Sequence, residues 1–116
     1  MQYLLLIYSN EAADANATEE QSTQIYQAYN EYTKELRDSG AYLAGEALLP
    51  TSTATTVRRK DGKPLTTHGP FAETTEQLGG FYMVECANID QALEWAAKCP
   101  GSINGAVEVR PVMMFE

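Results

Sequence analysis

The feature that most constrains the fold of this chain is one long amphipathic segment with a defined beginning and end. Thr18-Glu19-Glu20-Gln21 matches a capping box, in which two side chains satisfy backbone N–H groups at a helix N-terminus. Gly40 stands where a helix commonly ends in a left-handed glycine. Between them, apolar residues at three- and four-residue spacing form a single stripe: Ile25, Ala28, Tyr29, Tyr32 and Leu36. The pattern predicts a helix that extends to about Ser39 and buries one face.

Strands are predicted on both sides of this helix and again towards the C-terminus. Residues 2–8 form an apolar first strand, and residues 41–49 form a second that Pro50 ends. A threonine-rich hairpin follows, with residues 53–59 outward, a tight turn at Asp61-Gly62 and residues 64–67 returning. The remaining elements are a strand over 81–86, a short helix from an Asp90 cap to Pro100-Gly101, and a strand over 107–114.

This order of elements is β-α-β, a hairpin, then β-α-β. It is typical of the α+β class, in the ferredoxin-like split βαβ arrangement with an antiparallel sheet and both helices on one face. At 116 residues the chain is expected to form one domain, residues 1–116. Because the helices cover one face only, the other face needs a partner, and a homodimer through the sheet is predicted. The residues predicted to make that contact are Tyr3, Leu5, Ile7, Val107, Val109, Met113 and Phe115.

The charge balance limits the partners that this chain can take. Its formal net charge is −8, whereas nucleic acids and anionic membranes both require a basic surface. The one basic run, Arg58-Arg59-Lys60 with Lys63 nearby, is typical of the solvated end of a hairpin, with an anion site as the alternative. The apolar run 2–8 is too short to span a membrane and has no basic region before it, so a cytoplasmic location is expected.

Neither the cysteines nor the glutamates indicate a cofactor. Cys86 and Cys99 lack zinc-ligand spacing and are interpreted as packed or incidental thiols. Glu73 and Glu76 are three residues apart, but a hard cation requires about six oxygen ligands. No metal and no cofactor are predicted.

Residues 68–82 contain several titratable and turn-forming residues close together. They begin with His68, the one histidine, beside a Gly69-Pro70 turn. Histidine gains and loses a proton near neutral pH, so in a cleft it can act as a general acid or base. Gly79-Gly80 opens the following strand and favours a bulge or a close backbone approach.

The segment His68-Gly69-Pro70-Phe71-Ala72-Glu73-Thr74, with Glu76 to Tyr82, resembles the DGPF signature of the YCII-related proteins. The similarity extends to residues 3–8, 43–46, 53–58, 92–96 and 107–112, and so covers nearly the whole chain. It implies a dimeric α+β barrel with a cleft between sheet and helices in each subunit. Proteins sharing that barrel include lactone isomerases and a dehydrochlorinase, and some DGPF proteins are encoded beside extracytoplasmic-function sigma factors.

Three positions depart from the family pattern. His68 replaces the leading aspartate of the motif, and Thr75 stands where a lysine is usual. The histidine that relatives carry on the first helix, proposed there as the partner of an aspartate, has no counterpart; that helix has Tyr26, Tyr29 and Tyr32. The resemblance therefore does not transfer a His-Asp pair to this chain.

The candidate catalytic residues are His68 with Glu46 or Glu73, because a carboxylate can orient an imidazole or share its proton. The alternative is that His68 caps the turn and faces solvent. The candidate ligand-binding residues are Phe71, Tyr82, Tyr29 and Arg58, with core packing and ion pairing as the alternatives.

Three functions are compatible with these residues. The first is a small-molecule enzyme or binder that handles a proton on an organic acid, lactone or similar compound. The second is a non-catalytic regulatory or ligand-binding module connected with sigma-factor signalling. The third is a structural dimer.

Overall fold

The computed structural model describes residues 1–115. Six strands, three α-helices and two 3₁₀ turns make up this part of the chain. In chain order they are β1 (Gln2–Ser9), α1 (Glu11–Asp14), α2 (Glu19–Ser39), β2 (Tyr42–Ala47), a 3₁₀ turn (Thr51–Thr53), β3 (Thr55–Lys60), β4 (Lys63–His68), β5 (Gln77–Glu85), α3 (Ile89–Lys98), a second 3₁₀ turn (Pro100–Ser102) and β6 (Ala106–Pro111).

Four strands form one antiparallel sheet in the order β2-β5-β1-β6, and β3 and β4 form a separate two-stranded hairpin. The core packs α2 and α3 against the sheet. The predicted ferredoxin-like α+β fold with a hairpin insertion is confirmed. No helix within residues 1–115 is long and apolar enough to cross a membrane.

The core lies between the sheet and the two long helices. Tyr3, Leu5 and Ile7, alternate residues of β1, are buried there. The prediction that these three residues face a partner subunit is therefore wrong, and so is the same prediction for Val107 and Val109, which pack against this core. Side chains alternate between the faces of a strand. The open face of the sheet accordingly carries the half-buried side chains Leu4, Leu6, Tyr8, Phe81 and Met83.

Local interactions set the ends of both long helices. The capping box of α2 is confirmed: the Gln21 N–H donates to Thr18 Oγ1 at 3.1 Å, and the Thr18 N–H donates to Gln21 Oε1 at 2.9 Å. Gly40 ends the helix with a φ of 83°. The predicted cap of α3 is wrong, because Asn88 accepts the capping hydrogen bond from the Gln91 N–H. Asp90 instead lies in the first turn of α3.

The glycine pair lies inside β5, which begins at Gln77, earlier than predicted. Ile7 is opposite Gly80 and Tyr8 is opposite Leu78, so Gly79 is an extra residue and the predicted bulge is confirmed. A Cβ on Gly80 would lie 2.9 Å from the Glu46 carbonyl oxygen, so the β2 backbone approaches too closely there for a side chain.

The hairpin turn is also confirmed. Asp61 and Gly62 both have positive φ, 52° and 76°, as a two-residue hairpin turn requires. Two strand ends differ from prediction, since β2 ends at Ala47 and β6 ends at Pro111. The connection after β1 contains the short helix α1, whose cap Asn10 accepts a hydrogen bond from the Ala13 N–H.

Candidate functional site

His68 is the last residue of β4 and pairs with Thr55 across the hairpin. The next residue, Gly69, has a φ of 107° and turns the chain away. The Gly69 N–H donates to the Ala54 carbonyl at 2.7 Å, and Thr56 Oγ1 donates to the Gly69 carbonyl at 2.8 Å. Two hydrogen bonds therefore restrain the backbone of Gly69, directly after His68, while the His68 side chain is exposed.

The two candidate carboxylates lie on different elements. Glu46 belongs to β2 and is opposite Phe81, on the face of the sheet that the helices leave open. Glu73 lies in the loop between β4 and β5. Both side chains are exposed, and no hydrogen bond or ion pair recorded within residues 1–115 joins either of them to His68.

The four candidate ligand-binding residues separate into two regions. Phe71 is 77% exposed in the β4–β5 loop, and Arg58 is exposed on the hairpin. Tyr82 is buried on the helix-covered face, where its hydroxyl lies 2.7 Å from Thr33 Oγ1. Tyr29 is half-buried on the same side. One protomer therefore does not bring the four into a single cleft.

Tyr29 belongs to a packed group of hydroxyl and thiol side chains. A Cβ on Gly101 would lie 2.7 Å from Tyr29 Oη and 2.6 Å from Ile7 Cγ2, so a larger residue at position 101 would displace one of these side chains. Burial raises the pKa of Tyr29, Tyr32 and Tyr82 above the ordinary tyrosine value. Burial also raises the pKa of Cys86 and Cys99, both free and buried. These groups keep their protons at neutral pH and can donate hydrogen bonds, but they are poor bases and poor nucleophiles.

Sequence reasoning missed Glu11, a half-buried residue. Its carboxylate accepts hydrogen bonds from the Thr51 N–H at 2.9 Å and from Thr51 Oγ1 at 2.7 Å. Its backbone N–H donates to Gln77 Oε1 at 3.0 Å. Glu11, which follows β1, is thus hydrogen-bonded both to the connection after β2, at Thr51, and to the first residue of β5, Gln77. The sequence feature that could have indicated a structured position here is the Asn10-Glu11 pair, a helix N-cap followed by an acidic residue in the first turn.

Two open grooves on the surface of residues 1–115 contain no candidate residue. One, of about 340 Å³, lies between the C-terminal end of α2 and α3 and includes Trp95 and Lys98. The other, of about 360 Å³, lies between the β1–α2 connection and Asn104. Within residues 1–115 no cluster of three His, Cys, Asp or Glu side chains has a geometry that could hold a metal ion.

The chain is similar to known proteins over its full length. The family model of the YCII-related domain matches residues 1–116. An uncharacterised protein of Rhizobium meliloti is 31% identical over 118 residues, which cover 100% of this chain and 95% of that protein. Among solved structures, the 5-chloro-2-hydroxyhydroquinone dehydrochlorinase of Burkholderia phenoliruptrix, in complex with 2,5-dihydroxybenzoquinone, is similar with a TM-score of 0.56 and 14% identity. That similarity covers 97% of this chain and 94% of the dehydrochlorinase, and at this identity it concerns the fold alone. Because the family model matches the whole chain and a relative is 31% identical to it, the chain belongs to the YCII-related domain family.

Proposed function

We propose that this protein is a small-molecule enzyme or ligand binder that works as a homodimer, with His68 and either Glu46 or Glu73 as its proton-handling groups. The observation that carries the proposal is the setting of His68. It is the one histidine of the chain, its side chain is open to a ligand, and two hydrogen bonds of Gly69 restrain the backbone beside it. An exposed side chain on a restrained backbone combines access with a defined position, and catalysis requires both.

The dimer is part of the proposal because one protomer leaves apolar groups uncovered. Phe71 is 77% exposed three residues after His68. Leu6 and Phe81 are opposite each other on the face of the sheet without helices, next to Glu46. A second copy against this face would bury Leu6 and Phe81 and enclose Glu46 in a less polar environment.

The ligand class to test first is suggested by the structural neighbour. That protein is a dehydrochlorinase that binds 2,5-dihydroxybenzoquinone, an acidic, planar and oxygen-rich ring. A histidine can transfer a proton to or from such an oxygen, and phenolic donors or an arginine can hold the others. The panel therefore contains hydroxylated quinones, hydroquinones and small organic acids.

The test is an NMR titration of the His68 imidazole, which gives one unambiguous signal. We expect one class in the panel to shift that signal saturably. His68→Asn has no histidine signal, so its binding is measured by isothermal titration calorimetry, and we expect this variant not to bind. If every compound leaves the signal unmoved, the proposal is wrong. Absorbance of the bound compound over time distinguishes an enzyme from a binder, because turnover consumes it.

Neutral variants identify the carboxylate partner. Removal of a proton-handling carboxylate typically lowers kcat by about 10²–10⁴-fold, so we expect that loss for either Glu46→Gln or Glu73→Gln. Glu76→Gln is the matched control, since Glu76 is exposed in the same loop as Glu73. His68→Asp restores the aspartate of the family motif. If it raises activity above that of the natural chain, the family reaction uses a carboxylate at this position and His68 is not the proton carrier.

A further inference from the structure

The charges of this chain are distributed unevenly. The hairpin arm, Thr55–His68, carries four of the eight lysines and arginines, namely Arg58, Arg59, Lys60 and Lys63, and one acidic residue, Asp61. The arm therefore has a charge of +3 with His68 neutral, which leaves −11 for the rest of a chain whose total is −8. A basic element on an acidic protein is an electrostatic contact site for an acidic surface.

The arm stands apart from the rest of the molecule. Its strands pair only with each other, and Thr56 is its one residue that is not exposed. The molecule measures 47 × 47 × 18 Å, and its radius of gyration of 16.1 Å exceeds the roughly 13 Å typical of a compact chain of this length. A projecting two-stranded ribbon of this kind is marginally stable without a partner.

One face of the arm concentrates the charge. Arg58 is opposite Leu65, and Lys60 is opposite Lys63, so alternation places three of the four arm cations, Arg58, Lys60 and Lys63, on the same face. Arg59, opposite Pro64, lies on the other face. Like charges directly opposite on a ladder are destabilising. The ion pairs recorded within residues 1–115 involve Met1, Lys34 and Lys98 and none of the arm cations. This basic face consequently lacks the anionic partner that would offset its repulsion.

The open face of the sheet has the complementary pattern. One row across all four strands contains Glu46, Phe81, Leu6 and Glu108, in the order β2, β5, β1 and β6. Two exposed carboxylates thus flank an apolar centre, and Arg110 is the basic residue in the neighbouring row. An apolar centre with a charged rim is the usual composition of an interface between subunits.

We infer that the basic face of the arm docks on a second copy of this chain, against the rim carboxylates Glu46 and Glu108 of that copy. The inference rests on the homodimer of the proposed function. Two protomers of charge −8 repel each other, and the arms supply the attraction that offsets this repulsion. In a two-fold dimer each arm makes the same contact, so every favourable pair occurs twice.

The test is the dimer dissociation constant, measured by sedimentation equilibrium at about 20 mM and about 0.5 M salt. Arg58→Glu with Lys60→Glu reverses the arm, and we expect the constant to rise about tenfold or more at low salt. Lys34→Glu with Lys98→Glu is the matched control, with the same change in charge at exposed helix positions. The difference between the arm variant and the natural chain should shrink at high salt, since exposed pairs are screened.

The reciprocal variant, Glu46→Lys with Glu108→Lys, should also weaken the dimer, and combining it with the reversed arm should restore most of the affinity. Circular dichroism melts show whether each variant is folded. If the arm variant weakens the dimer no more than the control variant does, the proposed arm contact is wrong. The homodimer itself is still supported in that case. A natural chain that is monomeric at every concentration would overturn the homodimer itself.

Discussion

Tyr32 shows how one side chain connects several elements of this fold. It is almost fully buried, and its hydroxyl donates to the Trp95 carbonyl at 2.7 Å, joining α2 to α3. Its ring meets those of Tyr82 and Trp95 edge-on, with centroids 5.3 and 6.1 Å apart. Such contacts combine apolar burial with a satisfied polar group, which is why a tyrosine is tolerated in this core.

Tyr32→Phe keeps the ring and removes the hydroxyl. We expect the free energy of unfolding to fall by about 1 kcal/mol, the typical net value of one such hydrogen bond. The Trp95 carbonyl still accepts from the Cys99 N–H, so it is not left unsatisfied. Urea denaturation measures the change. Tyr26→Phe, at a residue that is 70% exposed, is the control and should have no effect; equal losses in both variants would contradict this account.

Three tyrosines with a raised pKa make the stability of the folded protein depend on alkaline pH. Burial raises the pKa of Tyr29, Tyr32 and Tyr82 in the folded state. The folded protein therefore retains up to three protons that the unfolded chain loses near pH 10. The resulting stability is complete below about pH 10 and is lost as pH rises further.

Urea midpoints between about pH 8 and pH 11 measure this loss, and absorbance at about 295 nm follows tyrosine ionisation. We expect ionisation of Tyr29, Tyr32 and Tyr82 to coincide with unfolding. A smooth titration of all seven tyrosines in the folded protein would show that the three rings are accessible.

At the scale of elements, α2 depends on interactions confined to its ends. Thr18→Ala removes the side-chain half of the capping box, and we expect a loss of about 1 kcal/mol in the free energy of unfolding. Thr23 is the control, because its hydroxyl bonds the Glu19 carbonyl within the exposed helix. Thr23→Ala should leave stability unchanged or slightly increased, since alanine is the better helix former. A larger loss for Thr23→Ala than for Thr18→Ala would contradict the role of the cap.

At the scale of the whole molecule, the open sheet face governs assembly in our proposal. Leu6→Lys places a charge at the centre of the row from Glu46 to Glu108, where a second copy would remove it from water. We expect this variant to be folded and monomeric by size-exclusion chromatography with light scattering. Ile25→Lys, at a helix residue that is 51% exposed, should keep the assembly of the natural chain. A dimer that persists in Leu6→Lys would place the interface elsewhere.

Most features that depend on neighbours within a few residues could be predicted from the amino-acid sequence, the cap of α3 being the exception. The capping box, the glycine that ends α2 and the Asp61-Gly62 turn were all predictable, because their hydrogen bonds and backbone dihedrals are local. The order of elements then selected the fold, since few topologies accommodate that order.

Contacts between residues that are distant in the chain depend on how the helices and strands pack, and they were not predictable from the sequence. Both faces of β1 are apolar, so only the position of the helices shows that Leu5 is buried and Leu6 is open. Glu11 bonds Thr51 across 40 residues, a pairing that no local pattern encodes. For the same reason the sequence suggests His68, Glu46 and Glu73 as candidates but does not predict their arrangement. They lie on β4, on β2 and in the β4–β5 loop, whose relative positions are set by packing over the whole chain.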